Sequence, residues 1–87
     1  MGKLRNSETR KSRKARTTPF QATYDTILNR LIEAREEAGL NQRDVSARMG
    51  HSHSFLSKCE TGDRRIDVME LLQFAEIYGK PLQFFFD

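Results

Sequence analysis

The sequence predicts an all-α fold of five short helices that follow a basic N-terminal tail. Helix-forming residues are frequent in the 87-residue chain, and β-branched residues are sparse. Apolar residues recur at helical spacing from about residue 24 onward, and glycine, asparagine and aspartate residues separate these runs. Residues 1–19 lack such periodicity. We therefore expect a disordered tail over 1–19 and a single helical domain over 20–87.

The first predicted helix covers residues 24–38. Gly39 stands where a left-handed residue commonly ends a helix, and Leu40 anchors the following link. The residues that recur at helical spacing are Ile27, Leu28, Leu31, Ile32, Ala34, Arg35 and Ala38.

Residues 41–62 predict two helices joined by a tight turn. The first covers 42–49 with Asn41 as its cap, and its inner face holds Val45, Ser46 and Met49. Gly50 can adopt the positive φ that a sharp turn needs. Ser46 is small because the next helix crosses close above it, although its hydroxyl then needs a hydrogen-bond partner.

The second helix of this pair is predicted over 53–60, with Ser52 as its cap and Gly62 as its end. Leu56 and Cys59 face the core, where Cys59 is small enough to leave it underfilled. Phe55 is expected to be largely exposed by helical phase. The outward face then carries His53, Ser54, Ser57 and Lys58.

Two further helices complete the predicted domain. Asp67 is a good cap for a helix that runs to Tyr78 and ends at Gly79. Pro81 then opens a short fifth helix over Leu82–Phe86. The wide apolar stripe of the fourth helix consists of Val68, Leu71, Leu72, Phe74, Ala75 and Tyr78.

The charge is divided unevenly between the tail and the domain. Residues 1–18 hold seven basic residues and one acidic residue, whereas residues 19–87 hold eight basic and eleven acidic residues. A basic arm on a folded domain is typical of a nucleic-acid-binding tail, but a solvated terminus explains it equally well. An acidic domain that binds DNA must gather its positive charges on one face.

Several classes of protein are not expected from this sequence. It has neither a long apolar run typical of a membrane span nor an apolar signal-peptide segment. The single Cys59 fits a reducing compartment such as the cytoplasm. His51 and His53 are too few for a metal site, and no spacing brings catalytic residues together. We therefore predict neither an enzyme nor a metal or cofactor site.

The two-helix unit itself indicates an interaction with DNA, since an exposed helix face held by a preceding helix suits the major groove. Residues 30–86 resemble the helix-turn-helix domain of the phage repressor/Cro (XRE-like) transcriptional regulators. The matching residues are Arg35, Glu36, Gly39, Leu40, Asn41, Gln42, Val45, Ser46, Gly50, Ser52, Phe55, Leu56, Ser57, Lys58, Glu60, Gly62, Leu71, Ala75, Gly79, Pro81 and Leu82.

The resemblance implies a five-helix repressor-like domain that places its third helix in the major groove, and usually a homodimer on operator DNA. It also implies a bacterial or phage origin and a structural ion pair between Arg35 and Glu60. The expected base-contacting residues are His53, Ser54, Ser57 and Lys58, and the expected phosphate-contacting residues are Gln42, Arg43, Arg64 and Arg65. Gln42 is also expected to brace the recognition helix.

Several alternatives stay open at this level. Lys58 can contact guanine or a phosphate, Arg43 can instead be a solvated helix residue, and Phe55 can touch a thymine methyl or pack against protein. The aromatic chain end makes Phe84 and Phe86 candidates for a dimer interface, or for an intramolecular contact with helix 1 or the tail. The chain as a whole is predicted to be a repressor. The alternative is an antitoxin-type or adaptor protein that mainly binds a partner protein.

Overall fold

A computed structural model of the chain describes residues 19–87. It contains four α-helices: α1 (Pro19–Ala38), α2 (Gln42–Arg48), α3 (Phe55–Thr61) and α4 (Val68–Tyr78). A C-terminal 3₁₀ helix (Leu82–Phe86) follows. The predicted all-α class is confirmed, with the fifth helix being of the 3₁₀ type. The predicted tail lies outside the described residues except for Pro19.

The core forms where α1 packs against α3, α4 and the 3₁₀ helix. Each element contributes at least one fully buried side chain, as expected for a small domain that must use most of its apolar residues. The largest of these are Phe74, Phe85, Leu31, Leu56, Val45 and Cys59. Within residues 19–87, no helix has both the length and the apolar character needed to cross a membrane.

The first helix begins at Pro19, five residues before its predicted start. Proline is tolerated in the first turn of a helix, where its missing N–H has no intrahelical partner. The Gln21 side chain donates to Asp25 one turn later, at 3.0 Å. Phe20 is 87% exposed, so this extension lacks the apolar face on which the prediction depended.

The turn between α2 and α3 has the predicted chemistry. The Asn41 side chain caps α2 by accepting from the Asp44 N–H at 2.8 Å. Gly50 adopts φ +76°, a left-handed conformation that favours glycine. The His51 N–H then donates to the Ser46 carbonyl at 2.9 Å, which closes the end of α2.

The start of α3 differs from the prediction. The helix begins at Phe55, and the N-cap is Ser54, which makes no side-chain capping bond. The predicted cap, Ser52, instead accepts the Phe55 N–H through its carbonyl at 3.1 Å. His53 and Ser54 therefore lie in the turn that leads into the helix. In the first turn of α3, the Leu56 N–H donates to the buried Ser46 hydroxyl at 3.1 Å.

The expectation that Phe55 is exposed is wrong, because its side chain is only 4% exposed. The His51 ring stacks on it at 3.8 Å between centroids, and the Arg64 guanidinium carbon lies 4.8 Å from the ring centroid. Phe74 of α4 is its aromatic neighbour in the core, at 6.2 Å. Helical phase alone missed this, since the covering groups come from the preceding turn and the following loop.

The fourth helix has its predicted bounds. The Asp67 side chain accepts from the Glu70 N–H, and the Glu70 side chain accepts from the Asp67 N–H, which forms a capping box. Gly79 ends the helix in the left-handed region. Of the predicted stripe, Val68 and Leu72 are exposed. They lie four residues apart on one face of α4, and the buried residues Phe74, Ala75 and Tyr78 lie on another.

Candidate nucleic-acid interface

The outward side of the α2–α3 unit presents a row of polar and basic side chains. His53, Ser54 and Lys58 are exposed and Ser57 is half-buried. The Ser57 hydroxyl donates to the Ser54 carbonyl at 3.1 Å, which fixes its hydrogen toward the protein. The Lys58 ammonium has no ion-pair or hydrogen-bond partner within residues 19–87 and is free to contact another molecule.

At the start of α3, His53 is in contact with α2. The Arg43 Nε donates to the His53 Nδ1 at 2.9 Å. Both side chains border a shallow surface depression between α2 and the turn, lined by Asn41, Arg43, Asp44, Ala47, His51 and His53. Arg43 was predicted to contact a phosphate and His53 to contact a base. In the structure a hydrogen bond joins the two side chains.

At the other end of α3, Glu60 is the centre of a buried network. Arg35 donates to it from Nε at 2.8 Å and from Nη2 at 3.2 Å, as the resemblance implied. Gln42 donates to the same carboxylate at 2.8 Å. The hydrogen bond to Glu60 raises the pKa of Arg35, which keeps it charged. Gln42 therefore braces α3 against α2, and its amide nitrogen is directed toward Glu60.

The loop after α3 holds the two predicted phosphate-contacting arginines in different settings. Arg64 donates to both Glu70 carboxylate oxygens, at 2.8 and 2.9 Å, and to the Arg65 carbonyl at 3.1 Å. These bonds from Arg64 lower the pKa of the Glu70 carboxyl below its ordinary value. Arg64 is thus paired within the protein, although its side chain stays 40% exposed.

Arg65 is exposed and lies over the ring of Tyr24, with the guanidinium carbon 4.4 Å from the centroid. The Tyr24 hydroxyl accepts from the Ile66 N–H at 3.1 Å, so Tyr24 holds the loop by its ring and by its hydroxyl. Sequence analysis did not single out Tyr24. Nothing in its local pattern indicates a partner 42 positions away.

The aromatic residues at the chain end have different surroundings. Phe84 is half-buried, with Arg30 of α1 and Lys80 lying 4.6 and 4.7 Å from its ring centroid. Its ring also meets Phe85 edge to face, at 5.5 Å. Phe86 remains 48% exposed. Phe84 therefore makes the intramolecular contact with helix 1, whereas Phe86 presents apolar surface to solvent.

His51 and His53 diverge across the turn. His51 stacks on Phe55 with its Nε2 3.9 Å from a Glu70 oxygen, while His53 is bound to Arg43. Cys59 is fully buried, and burial raises the pKa of its thiol. In the part of the chain that the structure describes, no three His, Cys, Asp or Glu residues are grouped as a metal site would require.

A fold in which a glycine turn joins α2 to an outward-facing α3 defines a helix-turn-helix protein. The helix-turn-helix family model matches residues 31–85. The solved structure of an XRE-family like protein from Pseudomonas syringae pv. tomato is similar to this chain, with 38% identity and a TM-score of 0.70. That match covers 76% of this chain and 80% of the other.

The uncharacterized HTH-type transcriptional regulator y4dJ of Sinorhizobium fredii is 42% identical over 45 residues. Those residues are 52% of this chain and 58% of that protein, so the chain matches less than two thirds of this relative's length. The chain belongs to the XRE-like helix-turn-helix family of DNA-binding transcriptional regulators.

Proposed function

We propose that the protein is a sequence-specific regulator of transcription that binds double-stranded DNA, acts as a repressor, and inserts α3 with its preceding turn into the major groove. The observation that carries this proposal is the exposure of His53, Ser54 and Lys58 on α3 and the turn before it. The opposite face of α3 is buried in the core. Such a protein works in the cytoplasm, where bacterial DNA lies.

The proposed base contacts follow from the chemistry of these side chains. Lys58 is a free cation that can donate to guanine O6 and N7, a common specific contact in the major groove. His53 and Ser54 lie just before the helix, where helix-turn-helix proteins place their first base contacts. Ser57 contributes least, since its hydroxyl hydrogen is committed to Ser54.

The proposed phosphate contacts flank α3 on both sides. Arg43, near the α2 N-terminus, is bonded to His53 just before α3, and Arg65 lies in the loop that follows α3. Because Arg64 is paired with Glu70, and the Gln42 amide with Glu60, we rank both below Arg43 and Arg65 as phosphate ligands. The basic residues of the tail add sequence-independent attraction to the phosphate backbone.

We further propose that the protein binds its operator as a homodimer. The 48% exposed Phe86 supports a subunit contact at this end of the domain, whereas half-buried Phe84 packs against Phe85 within the protein. A two-fold dimer would fit two half-sites about 34 Å apart along the duplex.

A second candidate function is that of an antitoxin-type or adaptor module whose main partner is a protein. The observation that favours it is the apolar surface at the start of α4, where Val68 is 73% exposed and Met69 is 67% exposed. Such surface is common at protein contacts but plays no part in the proposed DNA interface.

The test is a selection of random duplexes by the purified chain at moderate salt. It is repeated with the double variant Lys58→Ala, His53→Ala and with the matched control Gln73→Ala, Glu76→Ala, which changes two exposed residues of α4. We expect a two-fold symmetric motif with the wild type and the control, and its loss with the double variant. No enrichment by the wild type would overturn the proposal and favour the partner-binding alternative.

Repression and dimerisation need separate measurements. Expression of the protein is expected to lower the activity of a reporter that carries the selected motif across its promoter. A rise in reporter activity would instead make the protein an activator. Sedimentation of the protein with one selected duplex is expected to give two chains per duplex, and Phe86→Ser is expected to reduce that number to one.

A further inference from the structure

We propose that Arg43 determines sequence specificity by fixing the tautomer of His53, so that the imidazole presents only an N–H donor to DNA. The inference deepens the proposed function and rests on it, because it concerns how one base is read. Arg43 acts here as a positioning residue through His53, in addition to any contact of its own with a phosphate.

The direction of the hydrogen bond determines the tautomer. The Arg43 Nε lies 2.9 Å from the His53 Nδ1. A guanidinium has only donors, so the Nδ1 atom must supply the lone pair. The ring is then neutral and carries its single proton on Nε2, which lies on the far side of the imidazole from Arg43.

A donor at Nε2 limits what His53 can recognise. In the major groove it can bind the acceptors of guanine (N7 and O6), adenine (N7) and thymine (O4). It cannot accept from the amino group of cytosine or adenine, which the other tautomer could do. Guanine, with two acceptors side by side and no donor on that edge, is the base that this tautomer fits best.

The first arm of the test is independent of DNA. The ¹⁵N shifts of the histidine rings in the free protein report which nitrogen carries the proton. At pH 7.5 we expect the Nε2–H tautomer for His53 in the wild type and a tautomer mixture in Arg43→Met. Arg48→Met removes another exposed arginine of α2 and is the matched control, with the wild-type tautomer expected. A mixture or the Nδ1–H tautomer in the wild type would overturn the proposal.

The second arm measures binding to the selected motif and to three duplexes with each other base at the His53 position. For Arg43→Met we expect the ratio of best to worst base to fall about tenfold, the size of one directed contact. Arg48→Met is expected to keep the ratio. Equal weakening on all four duplexes by Arg43→Met would make Arg43 a phosphate ligand only and overturn the proposal.

Absence of any base preference in the wild type would overturn the proposed function itself, and the tautomer arm would still report on the Arg43–His53 pair.

Discussion

The two ends of α3 are held in opposite ways. At its C-terminal end, Glu60 has a 5% exposed side chain and accepts three hydrogen bonds from Arg35 and Gln42. At its start, exposed His53 makes a single contact with Arg43. The difference separates two tasks: the Glu60 network fixes α3 to α1 and α2, whereas the Arg43–His53 bond joins only two surface side chains.

The physical reason lies in the cost of burying charge. A carboxylate removed from water must be fully paired, so it tolerates one arrangement of its partners and locks the helix to α1 and α2. An exposed contact is weak because water competes for both partners. A substitution at the Arg43–His53 pair can therefore change this surface without risk to the fold.

The largest expected effect comes from the buried end. Glu60→Gln leaves the Arg35 charge without its counter-ion, and we expect the free energy of unfolding to fall by about 3–5 kcal/mol. Urea denaturation followed by circular dichroism measures it. Glu33→Gln, which alters the exposed Arg30–Glu33 pair, is the matched control with an expected change under about 1 kcal/mol. Equal losses of unfolding free energy in the two variants would show that the buried and the exposed ion pair contribute equally to stability.

A smaller effect is expected where Ser46 supports the start of α3. Ser46→Ala leaves the buried Leu56 N–H without its acceptor, at a cost of about 1–2 kcal/mol. Ser52→Ala changes an exposed serine of the same turn that caps nothing, and should stay within about 0.5 kcal/mol. The reverse order would mean that the Ser52 side chain, and not the Ser46 hydroxyl, supports the start of α3.

The Arg64–Glu70 pair, which covers Phe55 from the loop side, gives a pH-dependent prediction. Because the folded-state pKa of Glu70 is lowered, its contribution is present above the ordinary value of 4.5 and is lost as pH falls through the lowered value. Glu70→Gln keeps an acceptor for the Asp67 N–H but removes the charge. The stability difference between wild type and variant should therefore shrink from pH 6 to pH 3.

Urea titrations of both proteins at several pH values check this prediction. Glu76→Gln, an exposed carboxylate of the same helix, is the control and should follow the wild type. A difference between wild type and Glu70→Gln that grows toward acid would contradict the sign derived from the Arg64 hydrogen bonds.

The smallest effect is expected from Tyr24→Phe. The change removes the hydroxyl that accepts from Ile66 and keeps the ring beneath Arg65, so unfolding should become easier by only about 0.5–1.5 kcal/mol. Tyr24→Leu also removes the ring and should flatten the salt dependence of DNA binding, because Arg65 loses its support. Calorimetry measures the change in stability, and DNA binding between 50 and 200 mM salt measures the salt dependence. An unchanged salt dependence for Tyr24→Leu would mean that Arg65 does not contact DNA.

Local chemistry explains what could be predicted from the sequence. The caps at Asn41 and Asp67 and the turn at Gly50 depend on neighbouring residues only, and all three are present. The resemblance implied the Arg35–Glu60 pair correctly, since its motif includes both residues.

The features that escaped prediction depend on distant segments. Phe55 is covered by Arg64, and Arg64 is paired with Glu70 across the loop, so neither follows from helical phase. The early start of α1 was missed because Phe20 is exposed and gives no apolar periodicity. The base and phosphate contacts remain predictions, because they depend on the position of bound DNA and not on contacts within the protein.

The buried thiol of Cys59 offers a way to follow the docking of α3 in the free protein. It lies on the inner face of α3, and its raised pKa keeps it protonated and unreactive while the helix is docked. An alkylating reagent can reach it only when α3 separates from the core or the whole domain unfolds. Because the chain has a single cysteine, the labelling rate reports how often that separation occurs.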